Sequence, residues 1–263
     1  MATDWLALCR AAAEDVREVL GELPTRAERE PVVAQGEGGD DTTAIDAAAE
    51  SVILARFDGV DATIVSEEVG SRGSGTMRVV IDPIDGSLNA KRGIPFFSVS
   101  IAVANGDTMG DVELAFVHDF GSGEEWVARR GEGAFLNGEP LGAQLPKDRI
   151  ELLAFEATLT REVADRAAAF NGIAHRLRIM GSLALSLCHL AAGRLDAVCS
   201  LKPYRSVDVA AGQLLVRERG LAVANVDGDA RFVDAPLDLV PRSRVAAAGT
   251  DDVCRQVIAA LSA

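Results

Sequence analysis

Apolar residues recur at helical spacing from Trp5 to Leu20, with Thr3 or Asp4 placed to cap the helix. A second helical pattern runs from Thr43 to Phe57, after a glycine- and acid-rich stretch, Ala34 to Asp41, that reads as a loop. The apolar runs then shorten to strand length. Ala62 to Ser66 ends at Glu67-Glu68, a glycine-rich loop spans Gly70 to Gly75, and Met77 to Ile81 reads as a buried strand. Phe97 to Ala104, Gly110 to Asp119, Glu124 to Arg129 and Gly131 to Asn137 follow closely, with a turn signal at Asn137-Gly138. That run of neighbouring strands predicts an antiparallel sheet.

Beyond a short polar stretch, Gln144 to Arg149, strands alternate with helices. Glu151 to Phe155, Thr160 to Phe170, Arg176 to Met180, Ser182 to Ala192, Leu195 to Leu201, Asp208 to Arg219 and Leu221 to Val226 carry the alternation. Arg244 to Ala248 and Asp251 to Leu261 close it. The pattern predicts two halves, an α+β one over 1–145 and an α/β one over 146–263. No internal repeat or low-complexity tract interrupts them.

Composition narrows the class. Hydrophobic content of 48% and charged content of 25% are ordinary for a soluble globular protein. Met1 to Leu20 mixes Asp, Arg and Glu among its apolar residues, unlike a signal peptide, and no apolar run is long enough to span a bilayer. A cytoplasmic protein with no membrane partner is expected. The net charge of −14 argues against a nonspecific nucleic-acid binder. Positive charge is nearly all arginine, the lysines being Lys91, Lys147 and Lys202; a salt-adapted host or a GC-rich genome would each produce this. Cys9, Cys188, Cys199 and Cys254 form no Cys-x-x-Cys pair and sit among apolar neighbours, so buried free thiols are expected rather than zinc or disulfides.

Candidate chemistry concentrates in Asp82-Pro83-Ile84-Asp85-Gly86-Ser87. Two carboxylates stand three residues apart behind a buried strand, with Pro83 stiffening the backbone between them. A turn can aim both into one pocket, and the Ile84 carbonyl can join as a third oxygen ligand. At Gly86 and Ser87 the backbone can approach a phosphate closely. Oxygen ligands beside an anion site point to a hard metal ion and phosphate chemistry. Asp46, Glu67-Glu68 and Asp208 also lie at strand ends or helix starts. Each acid has a plain structural role open to it: Asp46 at a helix start, Glu67-Glu68 in a solvated loop, Asp82 and Asp85 in a turn, Asp208 as a cap.

Three segments together resemble the inositol monophosphatase superfamily of magnesium-dependent phosphatases. They are Ser66-Glu67-Glu68, Asp82 to Asn89, and Val207-Asp208-Val209-Ala210-Ala211-Gly212. Gly93-Ile94-Pro95-Phe96-Phe97, Gly131 to Gly138 and the Gly181-Ser182-Leu183-Ala184 turn extend the likeness over roughly residues 36 to 220. The wording looks closest to archaeal inositol monophosphatase/fructose-1,6-bisphosphatase members. The resemblance implies a layered α/β/α/β/α sandwich and metal-dependent hydrolysis of small phosphate monoesters. It implies Mg2+, about two or three ions per site, with Mn2+ as an alternative. By position, Glu67, Asp82, the Ile84 carbonyl, Asp85 and Asp208 become metal ligands. Asp46 and Ser87, with Thr42 nearby, become the groups that orient the attacking water, and Glu68 acts through a water ligand. Gly86 and Ser87 supply amides to the phosphate, and the helix expected after Gly86 aims further amides at it. The Gly181-Ser182 turn joins them, and Arg92, Lys202 and Arg205 stand near enough to meet a second phosphate or a sugar hydroxyl. A homodimer is expected from the likeness. His118, His175 and His189 have no motif partners and read as structural.

Two departures from the family pattern stand out: Ser87 replaces the commoner threonine and keeps the hydroxyl, and Val207 stands where many members have tryptophan. Upstream, Leu201 to Arg205 lacks the glutamate that animal inositol phosphatases place on the inositol ring. Inositol specificity therefore stays open. A phosphatase for 3′-phosphoadenosine 5′-phosphate or NADP is the alternative within the superfamily, and a non-catalytic regulatory member the alternative outside catalysis. A covalent aspartyl-phosphate route would need Asp-x-Asp at the motif, where Asp82 and Asp85 are instead separated by two residues, and a P-loop would need Gly-x-x-x-x-Gly-Lys-Ser/Thr, which is absent.

Overall fold

Asp4 starts the first helix, α1 (Trp5–Glu22), its carboxylate accepting from the Ala7 amide at 3.1 Å. The apolar stripe Cys9, Ala12, Ala13, Val16 and Val19 is buried, as helical spacing demands. After α2 (Arg26–Arg29), a hairpin of β1 (Val32–Gln35) and β2 (Asp41–Thr43) leads into α3 (Ala44–Arg56). The computed structural model describes residues 3–37, 41–143, 147, 149–156 and 159–263. Part of the loop expected over Ala34 to Asp41 is thus strand, with Ala34 paired to Thr42 and Gln35 to Asp41; residues 38–40 lie outside the described ones. So do residues 144–146 and 148 of the expected polar stretch.

The first large sheet comprises β3 (Ala62–Ser66), β4 (Gly70–Arg72), β5 (Met77–Asp85), β6 (Ser98–Ala104), β7 (Val112–Asp119), β8 (Glu125–Arg129), β9 (Gly133–Leu136) and β10 (Glu139–Pro140), with α4 (Ser87–Arg92) after β5. Its order is β10-β9-β8-β7-β6-β5-β3-β4. Antiparallel pairing prevails, as the strand run predicts, except that β3 lies parallel to β5. The exception arises because the glycine-rich stretch after β3 is not only loop. It folds back as the edge strand β4, and the chain then re-enters on the other side of β3.

The second sheet is built from β11 (Ile150–Glu156), β12 (Ala174–Arg178), β13 (Ala197–Ser200), β14 (Ala222–Asn225) and β15 (Val245–Ala248). Between and after them run α5 (Thr160–Ala167), α6 (Leu183–Ala191), α7 (Ser206–Glu218) and α8 (Asp251–Ser262). β11 is parallel to β12 and β13, while β15 runs antiparallel to β13 and β14.

Burial on both faces orders the layers. In β5, Val79 and Ile81 face α1 and α3, joining Cys9, Val16, Ile45 and Ile53. Val80 faces the other way and packs with Trp126, Val117, Leu185, Leu187, Leu214 and Leu215. That inner cluster continues to Ala154, Val198 and Ala247, so α6 and α7 lie between the two sheets. Phe155, Cys199 and Ala246 form the outer core with Val257 of α8. The result is the layered α/β/α/β/α sandwich that the resemblance implies. All four cysteines are free and buried. Among the described residues no helix is long and apolar enough to cross a membrane.

Candidate active site

β5 does not stop at Ile81. It continues to Asp85 against β6, with a register shift between Asp82 and Asp85 that leaves room for Pro83. Asp82 is buried, and its Oδ1 accepts from the Ile84 amide at 3.1 Å. The Ile84 carbonyl accepts from Ser87 Oγ at 2.9 Å. Gly86 takes φ +97° at the start of α4, and a Cβ there would lie 3.1 Å from both the Gly181 and Phe96 carbonyl oxygens. The helix expected after Gly86 is present but has only six residues, so its dipole is small.

Asp85 reaches across to the second half. Its Oδ2 accepts from Ser182 Oγ at 2.5 Å and from the Ala184 amide at 2.7 Å. Ser182 is the N-cap of α6, its Oγ also accepting from the Leu185 amide at 3.2 Å. Asn89 adds a second stitch, donating from Nδ2 to the Met180 carbonyl at 2.7 Å and the Phe96 carbonyl at 2.8 Å.

Glu67 and Glu68 follow β3 on a turn held from behind by Glu50 of α3. Glu50 Oε1 accepts from Ser66 Oγ at 2.5 Å, the Glu68 amide at 3.3 Å and the Val69 amide at 3.2 Å. Arg205 extends its guanidinium between Glu67, at 2.5 Å, and Asp208, at 3.4 Å. Asp208 also accepts from the Arg205 amide at 2.6 Å, so it helps cap α7 while facing the acids.

The groups expected around a water are each engaged locally. Asp46 Oδ2 accepts from the amide and hydroxyl of Thr43 rather than from Thr42. Thr42 Oγ1 donates to Glu68. The second oxygen of Asp46, Oδ1, is buried with no hydrogen-bond partner. Arg92 lies at the end of α4, 4.0 Å from Glu30, and Lys202 is exposed.

Electrostatics link the acids. Burial holds Asp82 well above the usual carboxylate range, and the charges of Glu67, Asp85 and Asp208 push it further. Glu67 rises to about 8, chiefly by burial; Arg205 opposes the shift while Asp208 and Glu68 add to it. Burial lifts Asp85 to about 6 against the hydrogen bonds from Ser182 and Ala184. Glu68 is raised by burial against its bond from Thr42.

Over residues 4–262 the sequence matches the profile of the inositol monophosphatase family. The chain belongs to that family. The fructose-1,6-bisphosphatase/inositol-1-monophosphatase of Methanothermobacter thermautotrophicus is 33% identical over 275 residues, spanning 98% of this chain and 96% of its own. The bifunctional NADP phosphatase/NAD kinase of Methanococcus maripaludis is 29% identical over 269 residues, 92% of this chain and 46% of that longer protein. A crystal structure of an inositol monophosphatase–fructose 1,6-bisphosphatase superposes with a TM-score of 0.87 at 26% identity, covering 98% of this chain and 100% of that one. With this family and these phosphatase relatives, the chain is a phosphatase.

Among the described residues of this inositol monophosphatase family member, no group of three or more His, Cys, Asp or Glu side chains is placed so that it could hold a metal ion as it stands. Arg205 stands among the acids instead. In their chemistry the donors nonetheless fit a hard cation. They are oxygens only, they repel one another in a buried setting, and a positive group is already drawn in to offset them.

Of the buried acids that escape the sequence reading, Glu50 and Glu156 brace the segments around these groups. Glu50 lies four residues after Asp46 on the buried side of α3, and an acid on an apolar helix face is the signal that could have marked it. Glu156 ends the apolar strand β11, accepting from Ser186 Oγ at 2.6 Å and the Gly181 amide at 2.9 Å. Burial pushes Glu156 up to about 8 against those bonds.

Proposed function

We propose that this phosphatase hydrolyses inositol or sugar phosphates, inositol 1-phosphate and fructose 1,6-bisphosphate among them, with Mg2+ as its cofactor. The observation that carries the reading is the convergence of Glu67, Asp82, Asp85 and Asp208, acids from distant segments whose charges act on one another. Together with the Ile84 carbonyl they would hold the ions, and an all-oxygen set selects Mg2+ or Mn2+ over zinc. When bound, the ions would acidify water, hold the phosphoryl oxygens and offset charge on the leaving oxygen. Asp46, Ser87 and Thr42 would orient the attacking water, with Glu68 acting through a water ligand; the unpartnered Asp46 Oδ1 supports an acceptor role. Water adds to phosphorus, the ester oxygen departs with a proton, and inorganic phosphate and an alcohol result. The amides of Gly86 and Ser87 would receive the phosphate. The Gly181-Ser182 turn, Arg92, Lys202 and Arg205 would face the rest of the substrate.

The reading divides labour between the halves. Residues 1–145 would supply most metal and phosphate ligands, and 146–263 would supply Asp208 and substrate contacts. It includes a homodimer, supported by exposed Leu88, Ile94 and Ile179, which flank in sequence the residues joined by the Asn89 stitch. A cytoplasmic setting accords with four unpaired cysteines. NADP is the second substrate reading, favoured by the match to the NADP phosphatase/NAD kinase of Methanococcus maripaludis.

Phosphate release from myo-inositol 1-phosphate, fructose 1,6-bisphosphate, 3′-phosphoadenosine 5′-phosphate and NADP, with Mg2+ and with EDTA, tests both readings. Release from the first two that EDTA abolishes is the expected result. Release from NADP alone would move the assignment to the nucleotide reading, and no release from any substrate would overturn it.

A further inference from the structure

The catalytic acids lie mostly in the first half, yet Asp85 is aimed by groups from the second. Both donors to its Oδ2, Ser182 Oγ and the Ala184 amide, belong to the start of α6. That helix start is itself fixed by one side chain from the second sheet. Glu156, 1% exposed at the end of β11, accepts from the Gly181 amide through Oε2 and from Ser186 Oγ through Oε1. The two bonds bracket the segment, one just before Ser182 and one a turn beyond it. Gly181 cannot relax independently, because it takes φ +87° and a Cβ there would lie 3.0 Å from Asn89 Nδ2. A buried carboxyl group is an expensive way to hold a helix end, since an apolar residue would carry no desolvation penalty.

We propose that Glu156 is a positioning residue for metal binding and catalysis, clamping Gly181 and Ser186 so that Ser182 and Ala184 fix the direction of the Asp85 carboxylate across the seam between the two sheets. Glu156 touches neither Asp85 nor the reacting groups; it acts through the turn. With Oδ2 of Asp85 taken by two fixed donors, the carboxylate meets a cation in one orientation. Without the clamp the turn can swing, and the ligand must be ordered again at each binding event. The inference rests on the metal-dependent phosphatase reading of the site.

The test compares Glu156→Ala, Glu156→Gln and Ser186→Ala in the full chain. Glutamine can still accept from the Gly181 amide and donate to Ser186 Oγ, so it keeps the clamp without the acid. Val257→Ala, on the buried face of α8 in the outer core, serves as the control for lost stability alone. Mn2+ binding is read directly by titration of free Mn2+ in electron paramagnetic resonance, independent of turnover, and phosphate release gives kcat and KM. Glu156→Ala is expected to bind Mn2+ about 10- to 100-fold more weakly and to lose kcat by a similar factor with KM little changed. Ser186→Ala is expected to fall between it and wild type, and Glu156→Gln to stay within about threefold of wild type. Wild-type Mn2+ affinity in both Glu156→Ala and Ser186→Ala, or a loss no larger than in Val257→Ala, would overturn the proposal. Should Glu156→Ala not fold, Ser186→Ala against Val257→Ala decides the matter. A wild-type protein that binds Mn2+ but releases no phosphate would remove the functional reading while the Mn2+ comparison still judges Glu156.

Discussion

The Arg205 guanidinium lies 2.5 Å from the Glu67 carboxylate, although 138 residues separate them in sequence. Its positive charge stands between Glu67 and Asp208. On the proposed metal-dependent reading, arginine and metal are alternative ways of offsetting the same acids. At about pH 8.5, where Glu67 is ionised, Arg205→Gln is expected to lower the stability of the metal-free protein by about 3 kcal/mol, the range for breaking one side of a buried pair. In saturating Mg2+ the gap to wild type should narrow. Thermal melts of both proteins in EDTA and in Mg2+ check this; an equal gap in the two conditions would show that Arg205 and metal do not substitute for each other.

Asp85→Asn leaves one oxygen to accept from Ser182 or Ala184 and keeps the side-chain volume. The fold should persist, with near-ultraviolet circular dichroism unchanged. Phosphate release should fall by more than about 100-fold, the upper end of what supporting residues around metal sites contribute. Near-wild-type turnover in saturating Mg2+ would remove Asp85 from the ligand set.

Glu50 carries the turn that presents Glu67 and Glu68. Glu50→Ala strands three donors, Ser66 Oγ and the amides of Glu68 and Val69. A buried donor left unpaired costs about 1–3 kcal/mol, so a loss of about 3 kcal/mol is expected for the three together, some reaching water. Urea denaturation measures it. Mg2+ dependence should shift to higher concentration in the same variant, because Glu67 loses its support.

Acidity should act in an uncommon direction. Glu67 and Glu156 both stand near 8 in the folded protein, against an ordinary 4.5. Over that interval the folded chain binds more protons than the unfolded one, so stability falls as pH rises. The metal-free protein is thus expected to be most stable with respect to these groups near pH 4.5 and to lose a few kcal/mol by about pH 8.5. Melting in EDTA should drop by about 5–10 °C between pH 5 and 8.5. Mg2+ should recover more stability at the upper end, where Glu67 is charged. A flat melting profile would mean that neither carboxyl is protonated on folding.

Most of the architecture is readable from periodicity. The strand from Ala62 to Ser66, the helix capped by Asp4 and the helix that follows Ser182 appear where apolar spacing places them. The edge strand β4 is not readable, because Gly70-Ser71-Arg72 has no apolar alternation and is fixed only by pairing with β3. The parallel placement of β3 beside β5 is equally a tertiary fact. Around the candidate site, the Asp82–Ser87 motif announces itself through residue types that a turn and a hard cation both require. Glu50 and Glu156 do not, since their work is done through hydrogen bonds to backbone amides whose positions a sequence does not reveal. Arg205 shows the converse. Its charge suggests a reach to substrate, and only the folded chain adds its contacts with Glu67 and Asp208.

The middle helical layer has a further consequence for how the molecule comes into being. Val80, Ala102, Ala115, Val117 and Trp126 line a face whose cover, α6 and α7, is encoded more than fifty residues downstream. During synthesis that oily surface stays bare until the later helices leave the ribosome. A nascent or refolding chain therefore passes through a sticky interval, and fast arrival of residues 183–218 guards it from aggregation.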